Sequence, residues 1–194
     1  RLQPSYPNVN LDFSGELDDI QESLDSIGIL FLFGLGVMYL ILGTQFKSYG
    51  QPLLILVTVP LAFTGVILGL FVTGNPLSLY TLYGVVALSG IAVNSAIVLI
   101  SAANDRLLAG MSLKHATVYA GRRRVVPIVI TVLTTIAGLF SLAAGLGGSS
   151  LILGPVATAI VWGLGFSSVL TLFVVPILYY LTGKKRELRL NPSS

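Results

Sequence analysis

The chain has 194 residues, of which 54% are hydrophobic and 10% charged, with a formal net charge of +3 and no cysteine. Its mean hydropathy of +0.89 exceeds that of ordinary soluble domains, so lipid is the solvent for most of it. The absence of thiols excludes disulfides, cysteine nucleophiles and cysteine-ligated metals, and the single histidine, His115, has no catalytic partner suggested by spacing.

In chain order, residues 1–26 are polar and acidic, without the pattern of a signal peptide. Tyr6-Pro7-Asn8-Val9-Asn10-Leu11-Asp12-Phe13 reads as the last strand of a folded domain, and Leu17, Ile20 and Leu24 have the spacing of a helical face. The first helix is therefore expected to project from the membrane before entering it. A spanning helix needs about 20 apolar residues to cross about 30 Å of hydrocarbon. Five runs meet that requirement: 27–45, 52–73, 79–103, 125–146 and 153–182, none of them containing Asp, Glu, Lys, Arg or His.

Gln45 to Pro52 is a short link, and Gly74-Asn75-Pro76 a tight turn, so neighbouring spans form antiparallel hairpins. Pro60 and Pro176 fall inside spans and predict kinks. Between the third and fourth spans, Leu113, Ala116, Val118 and Tyr119 predict a short amphipathic helix on the membrane surface near 112–121. Small residues recur within spans, as in Gly84, Ala87, Gly90, Ala157, Gly163 and Gly165, and predict close helix packing. Residues 183–194 form a polar tail. The fold expected is an all-α membrane protein, a five-helix bundle.

The basic residues lie almost entirely on one side. Arg1 is the one basic residue on the N-terminal side, whereas Lys47, Arg106, Lys114, Arg122, Arg123, Arg124, Lys184, Lys185, Arg186 and Arg189 lie on the other. The positive-inside rule places that second side in the cytoplasm. The same rule, with the attraction of basic residues to anionic lipid, accounts for the high isoelectric point without invoking nucleic acid.

Uncharged polar groups remain at membrane depth: Ser89, Asn94 and Ser95 in the third span, Thr131, Thr134 and Thr135 in the fourth. An unpaired amide in hydrocarbon costs several kcal/mol, so Asn94 is expected to face protein or water. Two readings stand here, interhelical hydrogen bonding and the lining of a proton or ion path.

Four stretches, at residues 45–60, 90–99, 122–138 and 174–179, resemble segments of the resistance-nodulation-cell-division (RND) transporters. Gln45-Phe46-Lys47-Ser48-Tyr49 is similar to the family's close of a first returning helix, followed by Pro52 and an internal Val59-Pro60. Gly90-Ile91-Ala92-Val93-Asn94-Ser95-Ala96-Ile97-Val98-Leu99 resembles the tenth helix, commonly "GIVVNNAIVL". Arg122 to Gly138 is similar to the opening of the eleventh, and Val174-Val175-Pro176-Ile177-Leu178-Tyr179 to the close of the twelfth.

The resemblance implies helices eight to twelve of a proton-driven exporter of drugs, metals or amphiphiles. Its partners would be helices one to seven and the porter domains of the same transporter, within a homotrimer in the bacterial inner membrane, N-terminus periplasmic and C-terminus cytoplasmic. A periplasmic adaptor and an outer-membrane channel would complete the assembly, and no cofactor is implied. In the family a pair of Asp residues on the fourth helix takes protons, answered by a Lys on the tenth helix and an Arg and a Thr on the eleventh. Those positions fall on Asn94, Arg124 and Thr131. Asn94 thus replaces the Lys, as in some branches, and Ser95 stands where one branch has Asp. Thr135 lies one turn beyond Thr131. Other classes of reading are a non-transporting membrane scaffold and an accessory in protein or lipid export.

Overall fold

The computed structural model describes residues 15–146, 148 and 150–190, so the strand expected at 6–13 lies outside the described residues. Six helices follow in order: α1 (Gly15–Phe46), α2 (Gly50–Leu56), α3 (Thr58–Thr73), α4 (Leu79–Leu108), α5 (Leu113–Ala143) and α6 (Leu153–Leu190). No strand occurs among the described residues. Five stretches are long and apolar enough to cross a membrane, with α2 and α3 together making the second of them, Gly50–Thr73. The chain is an all-α membrane protein.

The acidic lead-in and the first span are one continuous helix, α1. It is also the least packed: Leu42 is its one buried side chain among the described residues, with Phe31, Leu35 and Phe46 partly covered.

The second span is interrupted at Val57, three residues before Pro60. Proline has no N–H to donate to the carbonyl four residues back, here that of Leu56. The buried Thr58 hydroxyl donates to Ile55 O at 2.7 Å, and Leu61 N still reaches Val57 O at 3.4 Å. Pro176 behaves differently, since α6 continues through it unbroken.

Gly74 ends α3 in the left-handed region, at φ 67°, where a side chain is disfavoured. After the turn, Ser78 and Thr81 form a reciprocal capping box: Ser78 Oγ accepts from Thr81 N at 3.2 Å and Thr81 Oγ1 from Ser78 N at 3.4 Å. Replacing Ser78 by Ala is expected to cost about 1 kcal/mol, measurable as a lowered thermal midpoint in detergent, with Ser78→Asp recovering most of it.

The surface helix expected near 112–121 is not a separate element. It forms the opening turns of α5, which runs without a break from Leu113 to Ala143. The stripe expected to meet lipid divides: Leu113 and Ala116 are buried against protein, together with Thr117 and Ala120, whereas Val118 is exposed and Tyr119 half-buried. Pro127, inside the same helix, removes one hydrogen bond without ending it.

At the centre is α6, which packs along α3, α4 and α5. Close approach there depends on missing side chains. A methyl group on Gly65 would meet Phe166 Cβ at 2.8 Å and Gly163 Cα at 3.0 Å, and one on Gly84 would meet Ala159 Cβ at 2.8 Å. Helices this close gain dispersion contacts that substitute for the hydrophobic drive lipid cannot provide. Buried hydroxyls are absorbed locally, as where Ser168 donates to Leu164 O at 2.7 Å and Ser89 to Val86 O at 2.6 Å.

Candidate functional site

Near the midpoint of α4, successive side chains part company. Ser95 is buried at 8% exposure, among the core side chains Val93, Ala96 and Leu99. Asn94 points the other way and is exposed, as are Ala87, Gly90 and Ile91, one and two turns back on the same face. A Cβ on Gly90 would meet nothing within 4 Å, so this face is bare and shallow. The Asn94 side chain makes no hydrogen bond to any described residue.

On α5, Thr131 is exposed and its hydroxyl donates to Pro127 O at 3.1 Å and Ile128 O at 2.8 Å. Thr134 and Thr135 both donate to Thr131 O, each at 2.9 Å. Three hydroxyls thus converge on the carbonyls between Pro127 and Thr131, one turn beyond Arg123 O, the carbonyl that Pro127 cannot bond. No hydrogen bond joins Asn94 or Ser95 to Thr131 or Arg124 among the described residues.

The arginine run on α5 divides in the same way. Arg123 lies 5.9 Å from the centre of the Tyr119 ring, on which Arg106 also stacks, at 4.3 Å, while donating to its hydroxyl at 3.0 Å. Arg124, half-buried, has no such partner among the described residues, which leaves its charge available to a group from outside them. Ser112 and His115 Nδ1 are 2.7 Å apart, so the histidine is engaged in closing the start of α5.

A second polar cluster, which the sequence reading passed over, ties three helices together at the basic end. Gln51 and Asn104 exchange two amide hydrogen bonds, at 3.0 and 2.9 Å, and Tyr179 donates to Asn104 Oδ1 at 2.6 Å. Each residue lies at the edge of an apolar run, where a polar side chain has the ordinary explanation of facing water. Beside the cluster an open pocket of about 830 Å³ is bounded by the ends of α1, α2, α4, α5 and α6. Among the described residues no group of His, Asp or Glu is arranged to hold a metal ion.

The sequence matches the AcrB/AcrD/AcrF family over residues 5–183. It is 36% identical over 181 residues to the swarming motility protein SwrC of Bacillus subtilis, covering 93% of this chain and 17% of that protein. It is 34% identical to the multidrug resistance protein MdtC of Erwinia tasmaniensis, covering 93% of this chain and 18% of that one. Among solved structures it matches a heavy metal efflux pump with a TM-score of 0.80 at 31% identity, covering 91% of this chain and 18% of the pump. The chain spans less than a fifth of the length of these relatives. With a match running nearly end to end and five apolar helices in place, the chain belongs to the AcrB/AcrD/AcrF family of RND transporters.

Proposed function

We propose that this chain works as helices eight to twelve of a proton-driven RND exporter and supplies the side of the proton relay that carries no protonatable group of its own. The observation that carries this reading is Asn94. An amide at the midpoint of a spanning helix, turned away from its own bundle and without a partner, would cost several kcal/mol against lipid. It requires a polar partner from elsewhere, and a carboxylate on the other half of the transporter meets that requirement.

The five apolar runs hold no Asp, Glu, Lys, Arg or His, so proton binding near neutral pH falls to groups outside them. When such a carboxylate is charged, the Asn94 amide donates to it; when it is protonated, that bond weakens and the helices rearrange. Thr131, one turn beyond Pro127, and Arg124, one turn before it at the basic end of α5, are the second and third contacts we assign to the relay. Ser95, buried on the opposite side of α4, has a packing role in this scheme. With ten of the eleven basic residues on one side, that side faces the cytoplasm. The relatives named for multidrug resistance and heavy metal efflux support drugs or metal ions as cargo, handled by a trimer of complete transporters with adaptor and outer-membrane channel.

Asn94→Ala and Thr131→Ala in the complete transporter test this directly. The relay reading expects efflux to fall by tenfold or more at unchanged abundance, since one charge-assisted hydrogen bond is worth about 1.5–3 kcal/mol. Loss of abundance with efflux per molecule intact would identify both residues as packing groups instead.

A further inference from the structure

The pocket at the basic end is not accounted for by proton transfer. Its volume is about 830 Å³, within the range of sites that take small organic ligands. One side is apolar, formed by Phe46, Leu54, Leu107 and Leu108, and the mouth carries Lys47 and Ser48. An apolar wall beneath a cationic rim is the chemistry of an amphiphile with an anionic head.

Lys47 is unusual in its own right. It has φ 46°, the one non-glycine residue in the left-handed region among those described, at a position that ends α1 and where glycine would sit without strain. A turn that needed only its backbone shape would be served better by glycine. The lysine side chain makes no hydrogen bond or ion pair among the described residues, and Ser48 likewise has no recorded partner. The rim is therefore a strained, unpaired cation beside a free hydroxyl. The Gln51–Asn104–Tyr179 cluster holds α2, α4 and α6 around the pocket floor, with its polar atoms already paired to one another.

We propose that this pocket binds the phosphate headgroup of an anionic phospholipid from the adjoining leaflet. Lys47 is the counter-ion, Ser48 donates a hydrogen bond to a phosphate oxygen, and the acyl chains run toward the bilayer interior past Phe46 and Leu54. The inference rests on the orientation proposed above only in naming the leaflet as the cytoplasmic one. Anionic lipids there attract basic residues, each worth roughly fivefold in affinity.

The test is native mass spectrometry of the complete transporter, delipidated in detergent and titrated with phosphatidylglycerol or phosphatidylcholine. The wild type is expected to retain one additional phosphatidylglycerol per chain and to discriminate against phosphatidylcholine. Lys47→Gly is expected to lose about fivefold in phosphatidylglycerol affinity. Because glycine suits the left-handed turn, the unfolding midpoint should hold or rise. Lys47→Arg should retain binding. Gly50→Trp, at an exposed position where a Cβ meets nothing within 4 Å, should fill the mouth and expel lipid with Lys47 still present. Equal retention of both lipids, or undiminished phosphatidylglycerol binding by Lys47→Gly, overturns the proposal. Lys47-dependent binding of inorganic phosphate in the absence of phospholipid also overturns it, by identifying the occupant as a soluble anion. None of these readouts depends on efflux, so they stand apart from the fate of the Asn94 relay.

Discussion

Substituting Gly163 by Val is expected to destabilise the helix bundle by about 3 kcal/mol or more and to deplete the transporter from the membrane. Gly163 faces the point where α3 and α4 both meet α6. A Cβ there would collide with Leu88 Cδ2, approach Val66 Cγ2 to 2.9 Å and reach Ala62 O at 3.2 Å. Leu88 and Val66 are themselves fully buried, at 0% and 1% exposure, so neither has free space to move into. The carbonyl belongs to the backbone and shifts only if α3 shifts. The control lies two residues away: a Cβ on Gly165 meets only Ile136 Cδ1, at 3.5 Å, an ordinary contact. Gly165→Ala is expected to be neutral or to stabilise by up to about 1 kcal/mol, through the better helix propensity of alanine. Abundance in the membrane and thermal midpoint in detergent check the pair. Equal behaviour of the two variants would mean that close packing at Gly163 does not hold α6 in place.

Asn104→Leu is expected to cost about 2 kcal/mol. The substitution removes three hydrogen bonds at once and leaves the Gln51 amide and the Tyr179 hydroxyl without partners at the edge of the apolar region. Hydrogen bonds between membrane helices are worth about 0.6 kcal/mol on average and up to about 1.7 kcal/mol each, which bounds the sum. Tyr179→Phe removes only one of the three and should cost about 1 kcal/mol. Because both substitutions break the same bond, the double variant should lose less than the two single losses combined, by 0.5 kcal/mol or more in a double-mutant cycle. Strict additivity in unfolding measurements would show that the 2.6 Å contact between Tyr179 and Asn104 contributes nothing.

The bundle was legible because its signal is long and redundant. Five uncharged runs of spanning length are not produced by any competing pattern in an ordinary soluble domain, and the family motifs fall in order along them. The structure shifted the ends of these elements more than their existence. Leu113, Ala116, Val118 and Tyr119 suggest an amphipathic helix, and periodicity alone does not say which of its apolar residues meet lipid and which meet protein. Here Leu113 and Ala116 meet protein while Val118 is exposed, and the segment runs straight into α5.

The polar residues were legible in type more than in arrangement. Asn94 stood out because an amide in the middle of an apolar run is costly wherever it points, and the structure adds that it points away from the described bundle. Gln51, Asn104 and Tyr179 gave no comparable signal, since amides and tyrosines at span ends are ordinary. What joins them is tertiary: they lie 53 and 75 residues apart in sequence and meet only after three helices pack. The left-handed Lys47 was likewise hidden, because lysine is not the residue from which a positive φ would be inferred.

The central claim is that Asn94 serves a carboxylate held outside this chain, and the pH dependence of efflux tests it most directly. A hydrogen bond from Asn94 to the charged carboxylate lowers that group's pKa; removing the donor raises it. A charge-assisted bond worth about 1.5–3 kcal/mol corresponds to a shift of about 1–2 pH units. In Asn94→Leu, the limb of the efflux profile that reports carboxylate ionisation is therefore expected to move to higher pH by about that amount, with the transporter at normal abundance. A profile that keeps its wild-type position while falling only in amplitude would contradict the relay and leave Asn94 as a packing residue.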